Sequence, residues 1–119
     1  MSEKYREIVE KVNDAFANND GEAFINLCAD DIRWIIVGDR TVDGKDSLRE
    51  FMKSMEGMEA PKFTVEKIVS EGDSAAAYGE MTLEEKDGCA GSYEYCDIYT
   101  FTGEKITELR SFIVKLKEV

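Results

Sequence analysis

The chain has 119 residues, 43% hydrophobic and 34% charged, which is the composition of one folded domain, residues 1–119, with a sizeable core. Its 26 acidic residues against 15 basic ones leave a net charge of −11, which argues against nucleic acid and anionic membranes as partners. Histidine is absent, so Ser-His-Asp and Cys-His catalysis and His-ligated metals are excluded, leaving carboxylate, tyrosine, cysteine or lysine chemistry, or none.

Residues 3–18 read as an amphipathic helix. Tyr5, Ile8, Val9, Val12 and Phe16 fall on one face of a 3.6-residue repeat, and Ser2 is a fair N-cap. Asn18-Asn19-Asp20-Gly21 breaks the helix, and Asp20 can cap a short second one over 21–28. Ala29-Asp30-Asp31 leads into a strand, Ile32-Arg33-Trp34-Ile35-Ile36-Val37, ended by Gly38 and Asp39. A third helix follows Val42-Asp43-Gly44, with Leu48, Phe51, Met52 and Met55 at helical spacing. Met52, Met55 and Met58 either fill core or form a soft lid over a cavity. Pro61 separates this helix from four strand candidates, 62–71, 74–85, 89–101 and 105–117. Their separators, Gly72-Asp73, Lys86-Asp87-Gly88 and Thr102-Gly103-Glu104, are short, so the strands form an antiparallel meander. Helices followed by a meander make an α+β fold, in which a curled sheet wraps the helices and leaves a concave cavity.

Cys28, Cys89 and Cys96 are odd in number and match no metal-ligand spacing. They are expected to be reduced thiols in a cytoplasmic protein, with no metal and no cofactor. No apolar run approaches the roughly 20 residues of a membrane span. Met1-Ser2-Glu3-Lys4 reads as a mature start.

The element order resembles the nuclear transport factor 2-like superfamily, and within it the small SnoaL-like and ketosteroid isomerase-like proteins. The resemblance rests on Asn19-Asp20-Gly21-Glu22-Ala23-Phe24 with Cys28-Ala29-Asp30-Asp31-Ile32-Arg33-Trp34, on Gly44, Leu48 and Phe51, and on Cys96-Asp97-Ile98-Tyr99-Thr100-Phe101 with Gly103-Glu104-Lys105-Ile106. It implies a single SnoaL-like domain, a cone in which a curved antiparallel sheet wraps three N-terminal helices around an internal cavity. That fold hosts enzymes and binding modules alike. The steroid isomerases use a tyrosine, an aspartate base and a protonated aspartate. By the resemblance these positions fall at Val12, at or beside Ile36, and at Asp97, so only the last is kept. Steroid isomerisation is therefore not expected. The related epoxide hydrolases need an arginine and a second aspartate where this chain resembles them with Tyr95 and Ser111, and that mechanism is not expected either.

Alternation puts Tyr93, Tyr95, Asp97, Tyr99 and Phe101 on one strand face and Glu94, Cys96, Ile98 and Thr100 on the other. The resemblance implies that the first face is concave. The register carried across Lys86-Asp87-Gly88 then adds Tyr78, Glu80 and Thr82 to the concave face, the last strand adds Leu109, Ser111 and Ile113, and the first adds Trp34 and Ile36. A bulge would reverse the assignment beyond it. The expected ligand-binding set is Trp34, Ile36, Tyr78, Glu80, Tyr95, Tyr99 and Ser111. Asp97 is the candidate acid or base, titrating above an ordinary aspartate because burial disfavours its charge; alternatively it is a structural carboxylate satisfied by tyrosine hydroxyls or the third helix. Two functions stay open: a module that binds a small hydrophobic or aromatic-compatible molecule, and an isomerase-, cyclase- or hydrolase-type enzyme acting on an apolar carbonyl-bearing substrate. The convex face is expected to carry Gly79, Met81, Leu83, Cys96, Ile98, Phe112 and Val114, with Arg110 paired to Glu108. So apolar a face points to a homodimer.

Overall fold

The chain runs through α1 (Ser2–Ala17), α2 (Gly21–Asn26), β1 (Cys28–Ile36), β2 (Arg40–Asp43) and α3 (Gly44–Ser54), and then five more strands. These are β3 (Lys62–Phe63), β4 (Lys67–Glu71), β5 (Ser74–Glu84), β6 (Ala90–Thr102) and β7 (Lys105–Lys115). The structure is a computed structural model and describes residues 2–55, 61–84 and 90–116. Met58, Cys89 and the Lys86-Asp87-Gly88 turn lie outside the described residues, as does the side chain of Leu83.

The apolar stripe of α1 is the core stripe. Tyr5, Ile8, Val9, Val12 and Ala15 are buried, and Phe16 packs half-buried beside them. Each large side chain so buried stabilises the fold by about 1.5–3 kcal/mol. Tyr5 stacks on Phe101 at 4.2 Å between ring centroids, which ties α1 to the sheet. At the α1–α2 junction the Asp20 carboxylate accepts from the Ala23 backbone N–H at 3.2 Å and caps α2.

The strands form one curved, seven-stranded sheet in the order β2-β1-β7-β6-β5-β3, with β4 also paired to β5. The meander β5–β6–β7 is antiparallel, as the short separators require. The β1–β7 seam is parallel, because the chain returns beside β1 only after α3 and the whole meander. Strand β2 is an element the sequence reading did not contain. Gly38, at φ 83, turns the chain so that Arg40 pairs with Ile36 in a short hairpin. The expected strand over 62–71 is split in two. Phe63 pairs with Met81 but Lys67 pairs with Tyr78, so Thr64-Val65-Glu66 make a bulge. Across it the inward residues change from odd, Phe63, to even, Ile68.

Trp34, Ala75, Ala77, Tyr95, Tyr99, Phe101, Ile106 and Leu109 are buried sheet residues, and most of them join the helices in one core. Phe16, Phe24, Trp34 and Phe51 form a continuous aromatic cluster where α1, α2, β1 and α3 meet. Above that cluster the helices and sheet do not close on each other.

Candidate functional site

Asp97 lies on β6 between Ala77 of β5 and Ser111 of β7. Ser111 is 2% exposed, and its Oγ accepts from the Trp34 indole N–H at 2.9 Å. Its hydroxyl also bonds the Asp97 carboxyl and favours the charged form. Trp34, Ser111 and Asp97 thus make one hydrogen-bonded relay across β1, β7 and β6. Burial works the other way and dominates, pushing Asp97 from an ordinary 3.8 up to about 6. No lysine or arginine is among the groups that shift it. Asp97 is half-buried, and what remains open faces the cavity.

Tyr95 also lines the cavity. Its hydroxyl donates to the Thr64 carbonyl at 2.8 Å, and burial with the nearby Asp97 charge raises it to about 12, so it stays a neutral donor. Gly79 makes room for that contact. A Cβ at Gly79 would stand 1.9 Å from the Thr64 oxygen. The bulge therefore turns a backbone carbonyl inward, where it holds the tyrosine.

The cavity measures about 730 Å³. Buried or half-buried Phe16, Ile25, Trp34, Ile36, Phe51 and Leu109 supply much of its wall, and Met52, Met55, Phe63 and Met81 continue it. Polar rim residues are exposed: Asn19, Asp20, Glu22, Asp39 and Lys53. Arg49, also at the rim, pairs with Glu22 at 3.2 Å. Two buried polar atoms have no hydrogen-bond partner among the described residues, the Asn13 amide nitrogen and the Tyr99 hydroxyl.

Five of the expected site residues come together here: Trp34, Ile36, Tyr95, Asp97 and Ser111. Three do not. Tyr78 and Glu80 lie on the outer face, where Tyr78 is 44% exposed. Each odd-numbered residue of β5 pairs with an odd-numbered residue of β6, so Tyr78 stands beside Cys96 and Glu80 beside Glu94. Carrying the register across an odd-length connection without that parity put them inside. The same correction moves Gly79 and Met81 from the convex to the concave side; Thr82 is exposed. Tyr99 has the right face but is fully buried in the core and does not reach the cavity. Phe16, Ile25, Phe51 and Phe63 also form cavity wall, outside the set expected from the sequence. The helical period of Phe51, Met52 and Met55 was the signal for the α3 part, and these two methionines do border the cavity.

Other chemistry is not prepared. Burial pushes the Cys28 thiol up to about 12, and it donates to the Phe24 carbonyl, so it is no nucleophile. Cys28 and Cys96 are free thiols. Among the described residues no three carboxylates or thiols gather as a metal site. Among the described residues no helix is long and apolar enough to cross a membrane.

The SnoaL-like domain model matches residues 9–109. The chain belongs to the SnoaL-like domain family. Solved structures share its fold. A protein described as a SnoaL-like polyketide cyclase from Jannaschia sp. CCS1 superposes with a TM-score of 0.83 at 17% identity, covering 94% of this chain and 86% of that one. An LEH-like epoxide hydrolase from M. tuberculosis gives 0.84 at 17% identity, covering 94% and 84%. A protein with a ketosteroid isomerase-like fold from Catenulispora acidiphila DSM 44928, solved in complex with trimethylamine, gives 0.79 at 19% identity, covering 89% and 84%. No curated protein matches the sequence. At these identities the SnoaL-like chain shares its fold with the solved proteins, and its chemistry has to come from its own site.

Proposed function

We propose that this SnoaL-like domain binds a small, largely apolar molecule in the cone, with one polar group set against Asp97. The observation that carries this is a carboxyl embedded in an otherwise apolar wall, bonded to one serine and facing about 730 Å³ of space. Cavities of roughly 300–1,000 Å³ are the usual size for small ligands. That a similar fold is known in complex with trimethylamine supports the reading. Native mass spectrometry of the purified protein tests it. One small molecule retained per chain, and lost in Asp97→Asn, is the expected result. A bare mass, with no thermal shift from any small apolar compound, would count against it.

A second reading is an enzyme in which Asp97 moves a proton on a carbonyl-bearing substrate. A carboxyl near 6 favours it, because acid–base groups work best when poised close to the operating pH. Isomerisation of a steroid ketone is still not expected, since Val12 and Ile36 can neither donate nor accept a proton. Free thiols at Cys28 and Cys96 fit a reducing, cytoplasmic setting. We further propose that two copies pair through the outer sheet face, where Tyr78, Ile98, Phe112 and Val114 are exposed.

A further inference from the structure

We propose that the molecule held against Asp97, on the binding reading above, is a protonated apolar amine. The inner cavity has few hydrogen-bonding groups left to offer. The Trp34 N–H is used on Ser111, and the Tyr95 hydroxyl is used on the Thr64 carbonyl. The Ser111 hydroxyl is used on Asp97. Asn13 also lines the cavity, but its unpartnered amide nitrogen is buried and presents no surface. The Tyr99 hydroxyl has no partner either, but it is fully buried and does not reach the cavity, so the inner donors among the described residues are spent or out of reach. What is left over is acceptor capacity: a carboxylate has about four lone-pair sites and no donor, and Ser111 takes one of them. A carbonyl ligand finds no free inner donor. A ligand that brings its own N–H does.

Charge selects among donors. The Asp97 carboxylate has no cation paired to it among the described residues. An unpaired charge in an apolar setting is costly, and an ammonium is its natural partner. The rings of Phe16, Trp34, Phe63 and Tyr95 border the same space, and aromatic faces attract cations while accommodating an apolar body; the Phe51 ring already takes the Arg40 guanidinium at 5.2 Å from its centre. The remaining charged groups of the lining stand at the rim, where Arg49 is tied to Glu22 and Asp46, Asp39 to Arg40, and Asp20 and Lys53 are exposed. The ionisable groups closest to Asp97 on its own strand are Tyr95, Cys96 and Tyr99, all raised and so neutral at pH 7. With Asp97 near 6, the site is mostly anionic at neutral pH and mostly neutral about one unit below that value.

Three probes of one size separate the possibilities by calorimetry: phenethylamine, phenethyl alcohol and acetophenone. Phenethylamine should bind at least about tenfold tighter than the alcohol at about pH 7.5, and should lose about tenfold in affinity by about pH 5 as Asp97 takes up its proton. The neutral probes should lack that loss. Asp97→Asn should erase the amine preference and the pH step together. Ser111→Ala removes the bond that favours the charged form, so it should move the step to higher pH, an outcome no general loosening of the fold would give. Equal or tighter binding of the alcohol or ketone, with the amine indifferent to Asp97→Asn, overturns the amine class and leaves the cavity as a binding site. If none of the three binds and native mass spectrometry shows a bare chain, the amine proposal and the binding reading both fall.

Discussion

Asp97 is pulled in two directions, and the balance sets a measurable sign. Its surroundings raise its pKa from 3.8 to about 6, while the Ser111 hydroxyl resists. The folded state therefore holds this proton at pH values where the unfolded chain has released it. Stability falls as pH rises through the window from about 4 to about 6, and the loss persists above it. At about 1.4 kcal/mol per unit, the group costs the fold roughly 2–3 kcal/mol at pH 7. Asp97→Asn keeps the shape and removes the charge. Its melting temperature at pH 7 should equal or exceed that of the parent, and the gap between the two should close as pH drops to about 4. A mutant several degrees less stable at every pH would mean that the carboxylate anchors the fold. Much of this residue's setting was legible in the sequence, because alternation alone sets Asp97 between tyrosines on one strand face. Its actual partner was not: Ser111 bonds it, while the Tyr95 hydroxyl goes to the Thr64 carbonyl and the Tyr99 hydroxyl has no partner among the described residues. Only the register between β6 and β7 shows that.

At the level of elements, periodicity located the helices to within a few residues and missed the places where the pattern breaks. The α1 stripe was readable because its apolar residues repeat at one period. Three features were not. The β2 hairpin is four residues long, and Arg40-Thr41-Val42-Asp43 carries no alternation longer than one inward side chain, Val42. The parity of β5 depends on pairing, so Tyr78 and Glu80 were placed on the wrong face. The bulge at Thr64-Val65-Glu66 lies within a run that reads as one strand. Its cause stands opposite it, in Gly79. There the Thr64 N–H pairs with the Glu80 carbonyl and the Glu66 N–H with the Tyr78 carbonyl, so the chain brackets Gly79 from both sides. Any side chain at that position drives into the Thr64 carbonyl at 1.9 Å. Gly79→Ala should destabilise the protein by about 1–3 kcal/mol, the usual range for overpacking. The bond from Tyr95 should break as well; because a bond donated to a carbonyl favours the neutral phenol, its loss should lower the hydroxyl's pKa, which burial and the Asp97 charge raise to about 12. Chemical denaturation and ultraviolet titration read the two effects separately. An unchanged midpoint would show that the bulge yields freely and is not what holds Tyr95.

On the scale of the whole molecule, the two faces of one sheet divide the work. The inner face holds the cavity, and the outer face is more apolar than a solvated surface requires. Tyr78, Cys96 and Phe112 form a row straight across β5, β6 and β7, with Ile98 and Val114 beside it. Of these, Phe112 is 38% exposed and Val114 is 61% exposed. Glu80, Glu94, Glu108 and Arg110 surround the row, with Arg110 ion-paired to Glu108 at 3.9 Å. An apolar centre inside a charged border is the usual anatomy of a protein interface. A twofold axis through the row would place Phe112 against its own copy, so one substitution acts twice. A stable pair should bury at least about 1,000 Å². The net charge of −11 per chain opposes association, so pairing should strengthen with added salt, the reverse of an interface built on ion pairs. Met81 lies on the cavity side, so the substitution that tests this face is Phe112→Glu. It sets two carboxylates together at the centre without touching Asp97 or its relay. Light scattering should give twice the chain mass for the parent at micromolar concentration and the single mass for Phe112→Glu, with ligand binding kept. A parent already monomeric at high salt would leave the outer row without a second copy and would overturn the homodimer.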